Sequence, residues 1–599
     1  MIPGPHYIKA NKRSSLPKRV IFFDTETNSC ELEPGEHEQT YRLGVGVYQR
    51  IRDYNKPYKI EWIETKDSSE LCHWILAHTI QKERLYVISS NIWFDLRVSC
   101  LLQLMWEEKW KNTRLYANGM TLIMMFTKAK STIVFLNLQN FFRTNVEQLG
   151  IALNLPKLKA NFNNITDADL MIYCRRDTEI IHQSINKLFD FLHTKDLGYF
   201  AMTFPSIAFN TYRHRFMKVN LLVHQNPDAV KLERASYFGG RVECFRLGHY
   251  TNLKLVKIDT NSMYPYLMMS QAYPVILQGL AQNVPLSSLK IYLEGSCVCA
   301  QVELETNEPV YVLKQKERAI FPIGHFTTTL STPCLRYALE HNHIRKIINL
   351  ALYKQDFIFK EYVDFFYSLR MKYMKLKNKP FESLCKYLLV SLYGKFGQRA
   401  DLLLDECECD YNIISRLDYF NIDTQKQCTT TKFFGRSTTV EKGTREGINS
   451  IVSIASHVCE FGRLFLWKAI KKIGIANVYY CDTDCIIFDK THVDMTELHL
   501  DATHLGAFKL EKEASTISIL GLKDYVFGGE TKIKGVSTTA TQVQQNVYEQ
   551  VYFPGIWSDI RSGLDKPYVI HDQTKKLTRT YTKGTVTPNG VVEPFVLTL

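Results

Sequence analysis

Apolar residues recur along the chain in two rhythms. Short continuous runs read as buried strands, and three- or four-residue spacings read as helix faces. Arg19-Val20-Ile21-Phe22-Phe23 is a run of the first kind, leading directly into Asp24-Thr25-Glu26-Thr27. Alternate residues on a strand share a face, so Asp24 and Glu26 point the same way. Val256 and Ile258 mark another strand, which delivers Asp259 to its end. In Tyr479-Tyr480-Cys481-Asp482-Thr483-Asp484-Cys485-Ile486-Ile487-Phe488, β-prone residues flank two carboxylates, and Lys471-Lys472-Ile473-Gly474 before them reads as a helix end. A β-hairpin there would hold Asp482 and Asp484 close together, at or beside its turn. Helical spacing makes Tyr173 and Asp177 neighbours on one face. It continues through Ile180, Ile181, Ile185, Leu188, Phe189 and Leu192, predicting a helical segment over 178–220 that links two halves of the chain. Between Lys386 and Gly397, offsets of 0, 4 and 7 put Lys386, Val390 and Tyr393 on one stripe, with Gly394 expected to close the helix.

At 599 residues the chain exceeds one core and should hold two or three domains. Its 45% apolar and 12% aromatic content is that of a packed globular protein. The net charge of +13, from 74 basic and 61 acidic residues, points first to nucleic acid as a partner and second to an anionic membrane. No apolar run reaches spanning length, so membrane insertion is not expected. Fifteen cysteines, an odd number scattered through apolar segments, suit a reducing compartment. Cys297/Cys299 and Cys407/Cys409 lack the companion pairs of a zinc site and read as strand or loop residues. Residues 1–19 are basic without an acid, which leaves a mitochondrial-type presequence open.

Two like charges as close as Asp482 and Asp484 are costly to bury without a cation. A hard divalent metal such as Mg²⁺, which takes oxygen ligands, resolves that cost; a solvated Asp-Thr-Asp turn is the bland alternative. Asp24, Glu26, Asp95 (in Asn91-Ile92-Trp93-Phe94-Asp95) and Asp177 place four carboxylates on three separated elements. A two-metal phosphodiester hydrolase needs such a set, with a tyrosine, here Tyr173, to help orient the attacking water.

On Asp24-x-Glu26, Asn91-x-x-x-Asp95 preceded by Phe94, and Tyr173-x-x-x-Asp177, the chain resembles the 3′–5′ exonuclease domain of family B DNA polymerases. The resemblance implies a ribonuclease H-like fold, with Asp24, Glu26, Asp95 and Asp177 as metal ligands and Asn91 and Phe94 on the DNA. It also implies a supporting lysine within 155–162, for which Lys159 is chosen and Lys157 is the alternative. Ser236-Tyr237-Phe238-Gly239-Gly240-Arg241 matches the family's Y-x-G-G motif, making Tyr237, Gly239, Gly240 and Arg241 expected DNA contacts. Lys257 through Pro265 looks like motif A. There Asp259 would share metals with Asp484, backbone around Asn261–Tyr264, including Ser262, would hold the triphosphate, and Tyr264 would exclude a 2′-hydroxyl. Lys386 through Gly397 resembles motif B, with Lys386, Tyr393 and Gly394 facing the nucleotide. Val390 stands where the family usually has asparagine, and Cys485 where serine is usual. Asp482 neighbours the metal site. Arg370, Lys372, Lys375, Lys377 and Lys379 form a basic run around Tyr373, Ser456–Arg463 resembles a supporting helix before motif C, and Lys523-x-Tyr525 matches a primer-holding motif.

The expected architecture is therefore α/β and α+β multidomain: a ribonuclease H-like exonuclease over 1–200, then a right-hand polymerase over 201–599. Within the latter, palm is expected at 230–300 and 440–515, a first insertion at about 300–362, fingers at about 363–398, a second insertion at about 399–440 and thumb at about 516–599. The two insertions and the compact length are similar to the protein-primed branch of small phages, adenoviruses and linear plasmids. That branch implies two Mg²⁺ ions per active site, with Mn²⁺ able to substitute. It implies primer/template DNA, dNTPs and a separate terminal protein as partners, a single-stranded DNA-binding protein as a further candidate, and a monomer. It places the chain in host cytoplasm or nucleus, or in mitochondria for a linear plasmid. A synthesis-deficient nuclease, a DNA-binding scaffold on the same frame and a primer-independent polymerase are the alternatives.

Overall fold

A computed structural model describes residues 4–53, 56–162, 164–316 and 318–598. Val20 to Phe23 are wholly buried, as expected of a strand covered on both faces, and strand Arg19–Glu33 lies inside a large mixed sheet. It pairs in parallel with Arg84–Ser89, which pairs in parallel with Ser131–Asn137; Glu36–Asp53 flanks it antiparallel. Helix Asp167–Thr194 lies over this sheet, its first turn capped by Thr166 and its buried stripe including Ile180, Ile181, Ile185, Leu188 and Leu192. The helical segment expected over 178–220 is broken. Asp196 and Gly198 take left-handed backbone, and a new helix, Phe204–Thr211, starts with Pro205 in its first turn.

A second sheet is antiparallel, in the order Val242–Cys244, Val478–Asp482, Cys485–Asp489, Leu255–Thr260, Phe508–Ala514. Helix Val452–Ile473, mostly buried, packs against it through Leu464, Leu466, Trp467 and Ile470. Helices Lys360–Lys375 and Lys379–Phe396 stand beside it as a pair, the second capped by Asn378. That helix runs through Gly394 to Phe396, so Gly397, rather than Gly394, ends it.

Between the Asp259 strand and these helices the chain forms a sheet of Tyr273–Gln282, Ile344–Asp356, Ser296–Thr306 and Ile323–Ser331, to which the C-terminal strand Val596–Leu597 adds in parallel as the fifth. The boundary expected at about 300 falls inside one of its strands. Cys297 and Cys299 are buried within it, and all fifteen cysteines are free thiols. Arg399–Glu408, Arg436–Glu446, Lys426–Phe433 and Ser415–Asn421 form another four-stranded sheet. Two further features depart from the sequence-based division. Strand Tyr568–Lys576 pairs with Glu36–Gln39, so the C-terminal region extends the first sheet. Residues 4–19 pack into the fold: His6–Tyr7 pairs with Leu222–Val223, Leu16 is buried, and Asn11 donates to Asn210.

Candidate active sites

The first carboxylate cluster forms where the Arg19–Glu33 strand meets two helices. Asp24 and Glu26 alternate along the strand, Asp95 comes from the short helix Ile92–Val98, and Asp177 from Asp167–Thr194. Thr25 Oγ1 donates to Asp95 Oδ1 (2.6 Å) and Ser89 Oγ to Oδ2 (2.5 Å), which fixes that carboxylate. Burial, then repulsion from Asp95, Asp177 and Glu26, pushes Asp24 well above the usual carboxylate range. Burial lifts Glu26 to about 7 and Asp95 to about 6. Asp177 is raised by burial too, although Lys157 opposes it, and its Oδ1 is buried without a hydrogen-bond partner. Ligand atoms of Asp24, Glu26 and Cys174 lie within 4.8 Å of one another. The Cys174 thiol donates to the Asp24 carbonyl at 3.3 Å, and burial raises its pKa, so it acts as a packed neutral group.

Lys157, not Lys159, joins this cluster. Its ammonium pairs with Asp177 and sits 4.8 Å from the Tyr173 ring centroid, whereas Lys159 is exposed. Burial disfavours the Lys157 charge, but Asp177 outweighs it and the pKa ends above the ordinary lysine value. Phe162 braces Tyr173 edge-on at 5.4 Å. Asn91 is exposed at the N-terminus of the Asp95 helix, and Phe94 meets Tyr568 edge-on at 5.4 Å.

The second cluster sits on the antiparallel sheet. Asp259 lies opposite Cys485, Asp482 ends its strand, and Thr483-Asp484 make the turn with Thr483 in left-handed backbone. Thr260 N donates to Asp484 O (2.8 Å), tying the two motifs together. Burial, then the Asp484 and Glu511 charges, lifts Asp259 to about 7; burial also raises Asp484. The Lys386 charge opposes both shifts. Glu511, on strand Phe508–Ala514 and paired with Lys257 (2.8 Å) and Lys509 (3.4 Å), is a neighbour the motif reading missed. Its only sequence signal is an acid in a strand of alternating charges. Asp482 turns elsewhere, toward Lys523 (3.2 Å) and Lys532 (3.5 Å).

Tyr264 packs on Tyr393 with centroids 5.0 Å apart. A Cβ at Gly462 would lie 2.8 Å from the Tyr264 ring, so a glycine in the buried helix makes room for that tyrosine. Ser262, in left-handed backbone, accepts a hydrogen bond from Arg370 Nη1 (2.7 Å). Tyr373, within the basic run, stacks on Phe381 at 5.0 Å.

The loop at 237–241 touches the same site. Gly240 leaves the space occupied by the Thr483 side chain, since a Cβ would meet Oγ1 at 2.7 Å. Thr483 N donates to Arg241 O (2.7 Å), and Arg463 Nη1 donates to Phe238 O and Gly239 O (2.8 and 3.0 Å). Tyr237 lies against Gly397, where a Cβ would come within 2.7 Å of its ring. Arg241 departs from expectation. It is 1% exposed, paired with Glu243 at 2.5 Å and laid over Phe321 and Trp467, so its guanidinium is spent on the interior. Tyr525 is buried against Tyr480, and Lys523 adopts left-handed backbone before strand Asp524–Phe527, so the two do not share a strand face.

A cavity of about 1650 Å³ meets the helix Lys379–Phe396 at Tyr387, Val390, Tyr393 and Gly394 without reaching the carboxylates. Among the described residues its lining carries ten basic side chains, including Lys9, Arg13, Arg114 and Arg143, against Glu83 as the one acid.

Residues 157–457 match the family described as DNA polymerase type B, organellar and viral. A probable DNA polymerase of Neurospora intermedia is 25% identical over 448 residues, 70% of this chain and 43% of the relative. One from Ascobolus immersus is 23% identical over 431 residues, 66% of this chain and 33% of the relative. The chain thus spans less than half the length of these fungal relatives. The DNA-directed DNA polymerase of Enterobacteria phage PRD1 is 26% identical over 407 residues, 66% of either chain. Among solved structures, Phi29 DNA polymerase in its ternary complex with primer-template DNA and incoming nucleotide has the same fold: TM-score 0.65, 14% identity, covering 94% of this chain and 100% of that one.

Proposed function

The chain belongs to the organellar and viral type B DNA polymerases, and from that premise we propose a DNA-directed DNA polymerase with a 3′–5′ proofreading exonuclease. The observation that carries the reading is the pair of buried carboxylate clusters on separate sheets. Each cluster holds acids against burial and mutual repulsion, a cost that hard divalent cations relieve. The donors fit such ions: Asp259 and Asp484 offer oxygens at one site, and Asp24, Glu26, Asp95 and Asp177, with its unpartnered Oδ1, at the other. Bound Mg²⁺ or Mn²⁺ would activate the attacking oxygen and stabilise the leaving one.

The chain's own groups do the rest. Lys386 presents positive charge toward Asp259 and Asp484, where a triphosphate would lie. Arg370 fixes Ser262 at the start of the motif A helix, and Tyr264, wedged between Tyr393 and Gly462, closes the space a 2′-hydroxyl would need. Lys157 and Tyr173 flank the scissile phosphate of a strand bound at the first cluster. The basic cavity against Tyr393 and Gly394 suits the unpaired template strand approaching the fingers.

The insertion expected at about 300–362, whose strands belong to the sheet formed by 273–356, is where a priming protein would dock, and replication of a linear viral or plasmid genome is the corresponding role. No helix among the described residues is long and apolar enough to cross a membrane.

Purified protein, primed template and Mg²⁺, with and without dNTPs, test the assignment. Extension with dNTPs and primer shortening without them is the expected result. Shortening in both lanes would make this a nuclease on a polymerase frame, the reading that the apolar, exposed Val390 favours. Transfer of labelled dNMP from an α-labelled dNTP to a second protein of the same genome tests priming; synthesis on bare template without it would mark a primer-independent enzyme.

A further inference from the structure

The C-terminal region and the exonuclease cluster share one core. Ile556, Ile560, Tyr568 and Ile570 are buried in the same apolar cluster as Ile21, Phe23, Trp93 and Leu96. The tie is specific at one residue. Asp559, in helix Ile556–Ser562, is 6% exposed, and its Oδ2 accepts from Trp93 Nε1 (2.8 Å) and Arg97 Nε (3.2 Å). Arg97 also donates through Nη1 to Leu564 O (3.0 Å) and through Nη2 to Lys566 O (2.7 Å). Both Trp93 and Arg97 lie on the helix Ile92–Val98 that carries Asp95.

That helix has seven residues and no side-chain cap at its start. So short a helix is not stable by itself, and tertiary contacts must hold it. On the sheet side, Thr25 and Ser89 grip the Asp95 carboxylate; on the other side, Asp559 grips Trp93 and Arg97. We infer that Asp559 is a positioning residue for the exonuclease site, holding the Asp95 helix in register from a segment more than 450 residues away in the chain. Strand Tyr568–Lys576 pairs with Glu36–Gln39, which anchors the C-terminal region, and with it Asp559, on the sheet that carries Asp24 and Glu26. The inference rests on the exonuclease reading above.

The test uses the full chain as wild type, Asp559→Ala and Asp559→Asn. Three readouts are taken: degradation of a labelled single strand over a Mg²⁺ series, extension of a primed template, and amide hydrogen exchange over residues 92–98. Asparagine retains an acceptor for Trp93 and Arg97, and alanine retains none. Asp559→Ala should lower kcat for degradation by about 10–100-fold with KM little changed, raise the Mg²⁺ requirement, and speed exchange over 92–98. Asp559→Asn should recover part of each effect, and both variants should extend primers at close to the wild-type rate. Unchanged degradation and exchange in Asp559→Ala would overturn the inference. Loss of extension in step with degradation in both variants would do so too, since that marks global damage. If the wild type degrades no strand, the exonuclease reading itself fails, and the exchange arm alone decides whether Asp559 holds the helix.

Discussion

Four carboxylates around one ammonium leave little freedom to the side chain that carries the charge. Lys157 reaches Asp177 while covering Tyr173, so it both offsets repulsion within the cluster and holds the ring that would orient water. Lys157→Ala should slow degradation of a single strand by about 10–100-fold, a loss of about 1.4–2.8 kcal/mol, while Lys159→Ala leaves it near wild type; rates on a labelled oligonucleotide decide. The choice between the two lysines was not legible in sequence, because 155–162 is irregular and no strand or helix period says which side chain turns inward. Arg241 was misleading for a related reason: a glycine-flanked arginine looks available, and only its contacts with Glu243, Phe321 and Trp467 reveal a core residue. The carboxylates are different: Asp24, Asp95, Asp259 and Asp482 follow apolar runs, Glu26 shares the strand face of Asp24, and Asp177 lies one helical turn from Tyr173. Asp484→Ala should abolish extension and spare degradation, and Asp24→Ala with Glu26→Ala should do the reverse. One substitution removing both activities from folded protein would contradict the two-site reading.

At the scale of elements, motif A, motif B and the buried helix meet at Tyr264. The stripe of Lys386, Val390 and Tyr393 follows from helical period alone, but the partner of Tyr393 does not. Tyr264 lies 129 residues earlier, and the glycine that admits it, Gly462, is the single glycine of the buried helix. Tyr264→Val should raise ribonucleotide incorporation, read as the ratio of dNTP to rNTP efficiency on one template. Gly462→Ala should shift the same ratio, because its Cβ forces Tyr264 or the helix to move. The end of the motif B helix illustrates a limit of local signals. Gly394 stays helical despite the roughly 1 kcal/mol that glycine costs in a helix interior, and the chain turns only at Gly397, where Tyr237 packs too closely for a side chain.

Over the whole molecule, the two clusters make metal-free stability depend on pH in a definite direction. Glu26, Asp95 and Asp259 keep protons to about 6–7 when folded, and to about 4 when unfolded. Between those limits the folded state binds more protons, so stability should fall as pH rises from about 4 to about 7 and level off above. Mg²⁺ binds the ionised acids, so the Tm gained on adding it should be larger at about pH 8 than at about pH 5; scans with Mg²⁺ and with EDTA check this. The same scale shows where sequence reading stops. The strands of Asp24, Glu26 and Asp259, the hairpin of Asp482 and Asp484 and the helix of Asp177 were determined by sequence alone, because apolar run length and period are local properties of the chain; the helix of Asp95 was not. Folding decided the rest: that residues 568–576 extend the first sheet, that residues between 9 and 18 wall a basic cavity, and that Asp559 reaches the Asp95 helix. Those pairings join segments hundreds of residues apart. No local period encodes them, and they exist only because burying shared apolar surface brings the distant elements together.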